Sequence, residues 1–225
     1  MDIISIKGLT KDYALGNTTV PALRGINLSI AKGDLVSIMG PSGSGKTTLL
    51  NVIGCIDTAT RGSVKIDGRE LTTLSDRETT DLRLRSLGFI FQTFNLIPVL
   101  TALENVEFPL QLQARLARSE IRKRAEGFLN DVGLSDCLHH RPSELSGGQR
   151  QRVAIARALV THPAIVLADE PTANLDSANG AAILELMKEM NAREQTTFLF
   201  STHDHNILRY ARTVVTIRDG LVAEP

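Results

Sequence analysis

The sequence has no tryptophan, and aromatic residues make up only 4% of its 225 positions. Cysteine is equally scarce: Cys55 and Cys137 stand far apart, and neither belongs to a C-x-x-C pair. That argues against a disulfide framework or a zinc ribbon and suits a reducing compartment. Net charge is absent too, with 25 Lys+Arg against 25 Asp+Glu. The chain therefore exerts no long-range pull on phosphate backbones or anionic lipid, and nucleic acid is not an expected partner. No apolar run nears the roughly 20 residues that span a bilayer. The opening Met1-Asp2-Ile3-Ile4-Ser5 lacks the charged-then-apolar order of a signal peptide. There is no internal repeat, low-complexity tract or charged tail. What remains, 42% hydrophobic and 22% charged residues, is an ordinary globular composition with ample material for a buried core. A cytoplasmic location is expected.

Short apolar, β-branched segments alternate with helical patterns, the signature of an α/β fold with a mostly parallel sheet. Strands are expected at residues 3–6, 26–30, 35–39, 64–66, 88–91, 164–168, 197–201 and 214–218. Asp67-Gly68 and Asp219-Gly220 are turn dipeptides. From about Thr101 to Val160 strand signals stop. Ile121, Ala125, Phe128, Leu129 and Val132 then share one helical face across residues 120–132. A helical insertion in an α/β core is the economical reading. The basic run Arg115, Arg118, Arg122, Lys123, Arg124 reads as a solvated helix face, because Glu120 and Glu126 interleave with it.

Gly40-Pro41-Ser42-Gly43-Ser44-Gly45-Lys46-Thr47 matches G-x-x-x-x-G-K-[ST] in full. It follows the apolar strand 35–39 and opens a helix in which Leu49, Leu50 and Ile53 are available for burial, the context the motif requires. Glycines let backbone N–H groups turn around a phosphate, and the helix N-terminus adds partial positive charge. Lys46 reaches the outer phosphates, and the Thr47 hydroxyl suits Mg²⁺. A nucleoside triphosphate site is expected.

The continuous apolar run 164–168 reads as a strand buried on both faces. It ends in Asp169-Glu170, and carboxylates at the carboxyl end of a central strand lie beside the nucleotide crevice of an open α/β sheet. Asp169 is placed to hold Mg²⁺, directly or through water, and Glu170 to polarise a water in line with the γ-phosphate.

Leu145-Ser146-Gly147-Gly148-Gln149 precedes a helical stretch with Val153, Ala156, Leu159 and Val160 in a stripe. Ser146 and Gln149 have capping-box spacing. Adjacent glycines in a first turn cost about 1 kcal/mol each against alanine, so something is expected to approach that backbone closely. Bare amides at a helix start suit an anion. With one phosphate cradle already present, the second serves a different nucleotide or a different subunit.

At these residues the sequence resembles the nucleotide-binding subunit of ATP-binding cassette (ABC) transporters over essentially its whole length. The resemblance implies a P-loop NTPase (RecA-like) core at about 1–91 and 162–225, a small antiparallel β subdomain, and a helical subdomain at about 92–161, all in one ATPase domain. It implies that Tyr13 stacks on adenine and that Gln92 links metal and water to the helical subdomain. It further implies that the loop Ala173-Asn174-Leu175-Asp176 crosses between subunits and that His203 contacts the γ-phosphate. Asn174 departs from the Ala or Gly common in the family. The implied assembly is a head-to-tail homodimer sandwiching two ATP–Mg²⁺. Residues 40–48, ending at Thr48, hold each nucleotide from one copy, and Ser146, Gly147, Gly148 and Gln149 from the other.

Within the family the chain looks most like the lipoprotein-releasing, macrolide-export and cell-division branch. An integral membrane permease on a separate chain is then the expected partner, contacted near Phe94-Asn95-Leu96-Ile97, at the cytoplasmic face of a bacterial inner membrane. A regulatory ATPase that signals through a membrane partner is the alternative. A GTPase switch would need an N-K-x-D motif, and a DNA-maintenance ATPase would need long insertions; the sequence has neither.

Overall fold

The computed structural model describes residues 2–16 and 18–223, with the backbone alone at His205 and Asn206. The described residues build two sheets. In the first, β1 (Asp2–Leu15), β2 (Thr18–Ala31), β4 (Arg61–Ile66) and β5 (Arg69–Glu70) lie antiparallel in the order β2-β1-β4-β5. In the second, β3 (Leu35–Met39), β6 (Leu87–Ile90), β7 (Ile165–Ala168), β8 (Thr197–Thr202), β9 (Thr213–Arg218) and β10 (Leu221–Val222) run in the order β10-β9-β3-β8-β7-β6. All of its pairs are parallel except β10 on β9. Among the described residues there are six α-helices, α1 (Lys46–Ile53), α2 (Asp76–Ser86), α3 (Ala102–Gln113), α4 (Arg118–Asp131), α5 (Gly147–Leu159) and α6 (Ser177–Glu194), besides short 3-10 turns.

The central strands carry apolar residues on both faces because both faces are covered. Val36, Ile38, Ile165, Leu167 and Leu199 join α1 and the antiparallel sheet in one core. Leu35, Val166, Ala168, Phe198 and Phe200 point the other way, into a second core with α3, α4, α5 and α6. The shared register aligns Met39 with Thr202, Phe200 with Ala168, and Ala168 with Ile90. The carboxyl ends of β3, β8, β7 and β6 therefore open side by side.

The expected strands 3–6 and 26–30 prove to be the end, remote from the turn, of one long hairpin in which Ile4 lies opposite Ile30. Gly8 falls in a register shift between Ile6 and Leu9, and Pro21 lies opposite Asp12, next to the shift after Lys11. The two Asp-Gly dipeptides are two-residue hairpin turns with positive φ at all four positions; the two-residue strands they introduce, β5 and β10, are too short to carry a pattern. Helix α2 buries only Leu82, so hydrophobic periodicity misses it. Its signal is the Ser75–Glu78 capping box. Helix α4 begins two residues before the expected 120–132 and turns its basic residues outward, with Arg122 paired to Glu126.

Candidate functional site

Every residue of β3 is buried, and the chain leaves it in a tight loop before α1. Two of the loop's glycines answer to packing. A Cβ on Gly40 would lie 2.1 Å from the Ile217 carbonyl oxygen, and one on Gly45 would lie 2.7 Å from the Ala22 carbonyl oxygen. Gly45 also sits at φ 107, in the left-handed region a side chain avoids, as the N-cap of α1. Lys46 is buried, and its ammonium donates to the carbonyls of Gly40 (2.8 Å) and Pro41 (3.0 Å), folding the loop around it. The Ser44 hydroxyl inside the loop is buried and unpaired among the described residues, a polar atom suited to an added oxygen.

The neighbouring strand ends supply acid groups. The Thr47 hydroxyl lies 3.1 and 3.0 Å from the two Asp169 carboxylate oxygens. Glu170 reaches His203 Nδ1 at 2.9 Å and Lys46 Nζ at 4.0 Å. These groups, with Pro41, Ser42, Gly43, Thr48 and Gln92, line one cleft of about 570 Å³. The sheet register thus brings Lys46, Thr47, Asp169, Glu170, Gln92 and His203 together from four strand ends, across 158 positions of sequence (46 to 203 inclusive).

Tyr13 does not line this cleft. Its hydroxyl donates to Asp57 (2.7 Å), whose other oxygen meets Lys11 Nζ at 2.5 Å, and Lys11 lies over the Tyr13 ring. Thr48, which does line the cleft, is the Tyr13 hydroxyl's other neighbour. Burial, and then Asp57, push the phenol above its usual range. Burial works against the Asp57 charge, but the Lys11 and Tyr13 hydrogen bonds outweigh it and hold the carboxyl low. This tie is therefore intact above the ordinary aspartate range and is lost as pH falls through the lowered value.

The second glycine motif lies elsewhere on the chain: none of Ser146, Gly147, Gly148 and Gln149 lines the cleft. Ser146 caps α5, accepting from the Gln149 amide (3.2 Å), while its own N–H donates to the Gln149 side chain (2.9 Å). The two glycines differ in kind. A Cβ on Gly148 would lie 2.9 Å from the Asn179 side-chain oxygen, so α6 of the same chain accounts for that glycine. A Cβ on Gly147 would meet a movable Leu175 methyl at 3.4 Å and the Asn174 carbonyl oxygen at 3.7 Å, both ordinary contacts. Asp176 caps α6 through the amides of Ala178 (3.1 Å) and Asn179 (3.0 Å), and the Asn179 bonds hold its carboxyl below the usual range.

The sequence profile of the ABC transporter family matches residues 23–173. The chain belongs to that family. It is an ABC ATP-binding domain and, with its family, an ATPase. It is 49% identical to the uncharacterized ABC transporter ATP-binding protein MJ0796 of Methanocaldococcus jannaschii, over 98% of this chain and 95% of that one. It is 48% identical to the lipoprotein-releasing system ATP-binding protein LolD of Alcanivorax borkumensis, over 98% of this chain and 96% of that one. The same identity holds with the macrolide export ATP-binding/permease protein MacB of Mannheimia succiniciproducens, of which this chain spans 34%. A dimeric structure of MJ0796 in a post-hydrolysis state, bound to ADP and Pi, superposes with a TM-score of 0.91 at 47% identity, over 98% of this chain and 97% of that one.

Two side chains that the sequence did not single out, Ser201 and Arg157, and one that it did, Asn174, make further ties around the site. The buried Ser201 hydroxyl donates to Asp169 (2.6 Å) and accepts from the Glu170 amide (2.9 Å); its signal was a hydroxyl ending an apolar strand. Arg157 on α5 donates to the carbonyls of Asn95 (2.5 Å) and Phe94 (2.8 Å), and burial lowers its pKa to about 10. Asn174 donates to the Gln92 carbonyl (2.8 Å), which gives its departure from the family pattern a local purpose. Asn174→Ala is expected to fold normally. One lost hydrogen bond of about 1 kcal/mol would slow ATP turnover about fivefold, measurable as steady-state phosphate release at saturating ATP.

Proposed function

We propose that two copies of this chain close head to tail on two ATP molecules and drive a separate integral membrane permease. The observation that carries the reading is the division of anion-binding features. One complete phosphate loop lines a cleft with Asp169 and Glu170, while a second helix start, with Ser146 exposed and only ordinary van der Waals contacts around a Cβ at Gly147, lies outside that cleft. In a two-fold pair each second site completes the other copy's first. The dimeric MJ0796 cassettes are consistent with that pairing.

In this reading residues 40–48 of one copy and 146–149 of the other enclose each nucleotide, with Tyr13 on the base and Asp176 in the loop between subunits. Lys46 neutralises developing phosphate charge, His203 orients the γ-phosphate and Glu170 accepts the proton of the attacking water. Thr47, Asp169 and Gln92 are the oxygen donors for Mg²⁺. A hard cation of this kind takes one or two protein oxygens and completes its shell with phosphate and water, which fits the facing Thr47 and Asp169 oxygens. The metal, when bound, screens the phosphate charge.

Residues 92–161 form the helical subdomain, and the rest the core. The groove lined by Leu84, Leu87, Phe89, Phe91, Pro109 and Arg157, about 380 Å³, receives a cytoplasmic helix of the permease. Among the described residues no helix is long and apolar enough to cross a membrane. The chain would then sit on the cytoplasmic face of a bacterial inner membrane. Two of the named relatives are a lipoprotein-releasing and a macrolide-export protein, which favours extraction or export of a hydrophobic cargo.

Affinity capture from detergent-solubilised membranes with a Glu170→Gln chain and ATP–Mg²⁺ tests the partner. A polytopic membrane protein should be retained with ATP and released without it. Recovery of no membrane protein under either condition would defeat the transport reading.

A further inference from the structure

Glu170 holds a backbone conformation that its own chemistry disfavours. Its φ is 47, in the left-handed region that a non-glycine residue avoids, and Pro171 narrows its choices further. Two side chains from different elements hold the backbone on either side. On one side the Glu170 amide donates to the buried Ser201 hydroxyl of β8, at 2.9 Å. On the other, Gln151 of α5 donates through Nε2 to the Pro171 carbonyl, at 2.7 Å.

Gln151 is fully buried. A carbonyl only accepts, so the Gln151 nitrogen must face Pro171, and its Oε1 is left unpaired among the described residues. A buried orphan oxygen is destabilising, because it gives up its water and gains no partner. An apolar side chain of the same shape would fill the space without that penalty. The donor, rather than the volume, is what the position uses.

Gln151 lies four residues along α5 from Gly147, about 6 Å of helical rise. Whatever displaces the first turn of α5 also displaces the group that pins Pro171. We infer that Gln151 is a positioning residue for Glu170, and that through it the setting of the Glu170 carboxylate depends on where α5 sits. The inference rests on the reading of Glu170 as the base. It makes that base sensitive to the occupancy of the helix start proposed to face the other copy's nucleotide.

Gln151→Met removes both the donor and the orphan oxygen at nearly constant shape. Misplacement of a catalytic group by about 1 Å costs up to about 100-fold, so kcat should fall about 10- to 100-fold with the KM for ATP unchanged. The gain and the loss in buried polar groups offset, so Tm should stay within about 4 °C. In a Glu170→Gln background the same change should cost nothing further, because residues acting as a unit are not additive. Gln151→Asn, which draws the amide back by one methylene, should show the same split and serves if the Met chain does not fold.

A folded Gln151→Met chain with kcat within about twofold of the parent, or an equal loss in the Glu170→Gln background, overturns the positioning role. The base assignment has its own failure: an active Glu170→Gln chain overturns that assignment and this inference with it. An inactive Glu170→Gln chain beside a fully active Gln151→Met chain overturns the inference alone.

Discussion

Glu170→Gln should leave a chain that folds, binds ATP and scarcely turns it over. The substitution keeps the shape and a carbonyl oxygen that can still meet His203, 2.9 Å away in the parent. The Ser201 bond is made by the Glu170 backbone amide and survives. Lys46 keeps its two loop carbonyls, since its distance to Glu170 is the longer 4.0 Å. What disappears is the basicity. General-base catalysis contributes about 10²–10⁴-fold, so phosphate release should slow by at least about 100-fold. ATP affinity should hold, because the phosphate loop is untouched. Under the proposed two-copy mechanism the variant should also accumulate as an ATP-dependent dimer, visible by size-exclusion chromatography with light scattering. Lys46→Ala is the contrast, since it strips two loop carbonyls and the phosphates of their cation and should lose ATP affinity as well. A Glu170→Gln chain that hydrolyses ATP at the parent rate would remove Glu170 from the mechanism.

Much of this chemistry was legible in the chain, for a physical reason. A phosphate loop needs glycines at fixed spacing, a lysine and a helix start, and these are local in sequence. A fully buried parallel strand is a continuous apolar run, so 164–168 announced both its depth and the carboxylates at its end. The long hairpin of β1 and β2 was only half legible, because glycine bulges break its alternation. The tertiary ties were not legible at all. Ser201, Gln151 and Asn174 act on backbone amides and carbonyls 31, 20 and 82 residues away, and a backbone group gives no sequence signal. The glycine pair of the second motif shows the same limit. Both glycines read as a bare surface for a ligand, yet Gly148 is accounted for by Asn179 within the same chain. Only Gly147 keeps the original argument.

That difference allows folding and assembly to be separated, and it sets the second large effect. Gly147→Asp should fold as well as the parent and fail to dimerise. A Cβ at Gly147 meets a Leu175 methyl at 3.4 Å, which can swing aside, and the Asn174 carbonyl oxygen at an ordinary 3.7 Å, whereas at Gly148 it would press the Asn179 amide at 2.9 Å. Position 147 is the first residue of α5 after the Ser146 cap, where a carboxylate is favourable to the helix by about 0.3–1 kcal/mol and replaces a poor helix former. Tm should therefore hold or rise. The same carboxylate would face the γ-phosphate of the other copy's ATP, and like charges juxtaposed across an interface cost several kcal/mol. Since about 2.7 kcal/mol already corresponds to 100-fold, cooperative ATPase should fall by at least that factor. ATP binding by the single chain should persist, because its own phosphate loop lies in a different cleft. Fluorescent-nucleotide titration, light scattering and phosphate release separate the three quantities. A Gly147→Asp chain that still dimerises on ATP would place the helix start of α5 outside the nucleotide sandwich.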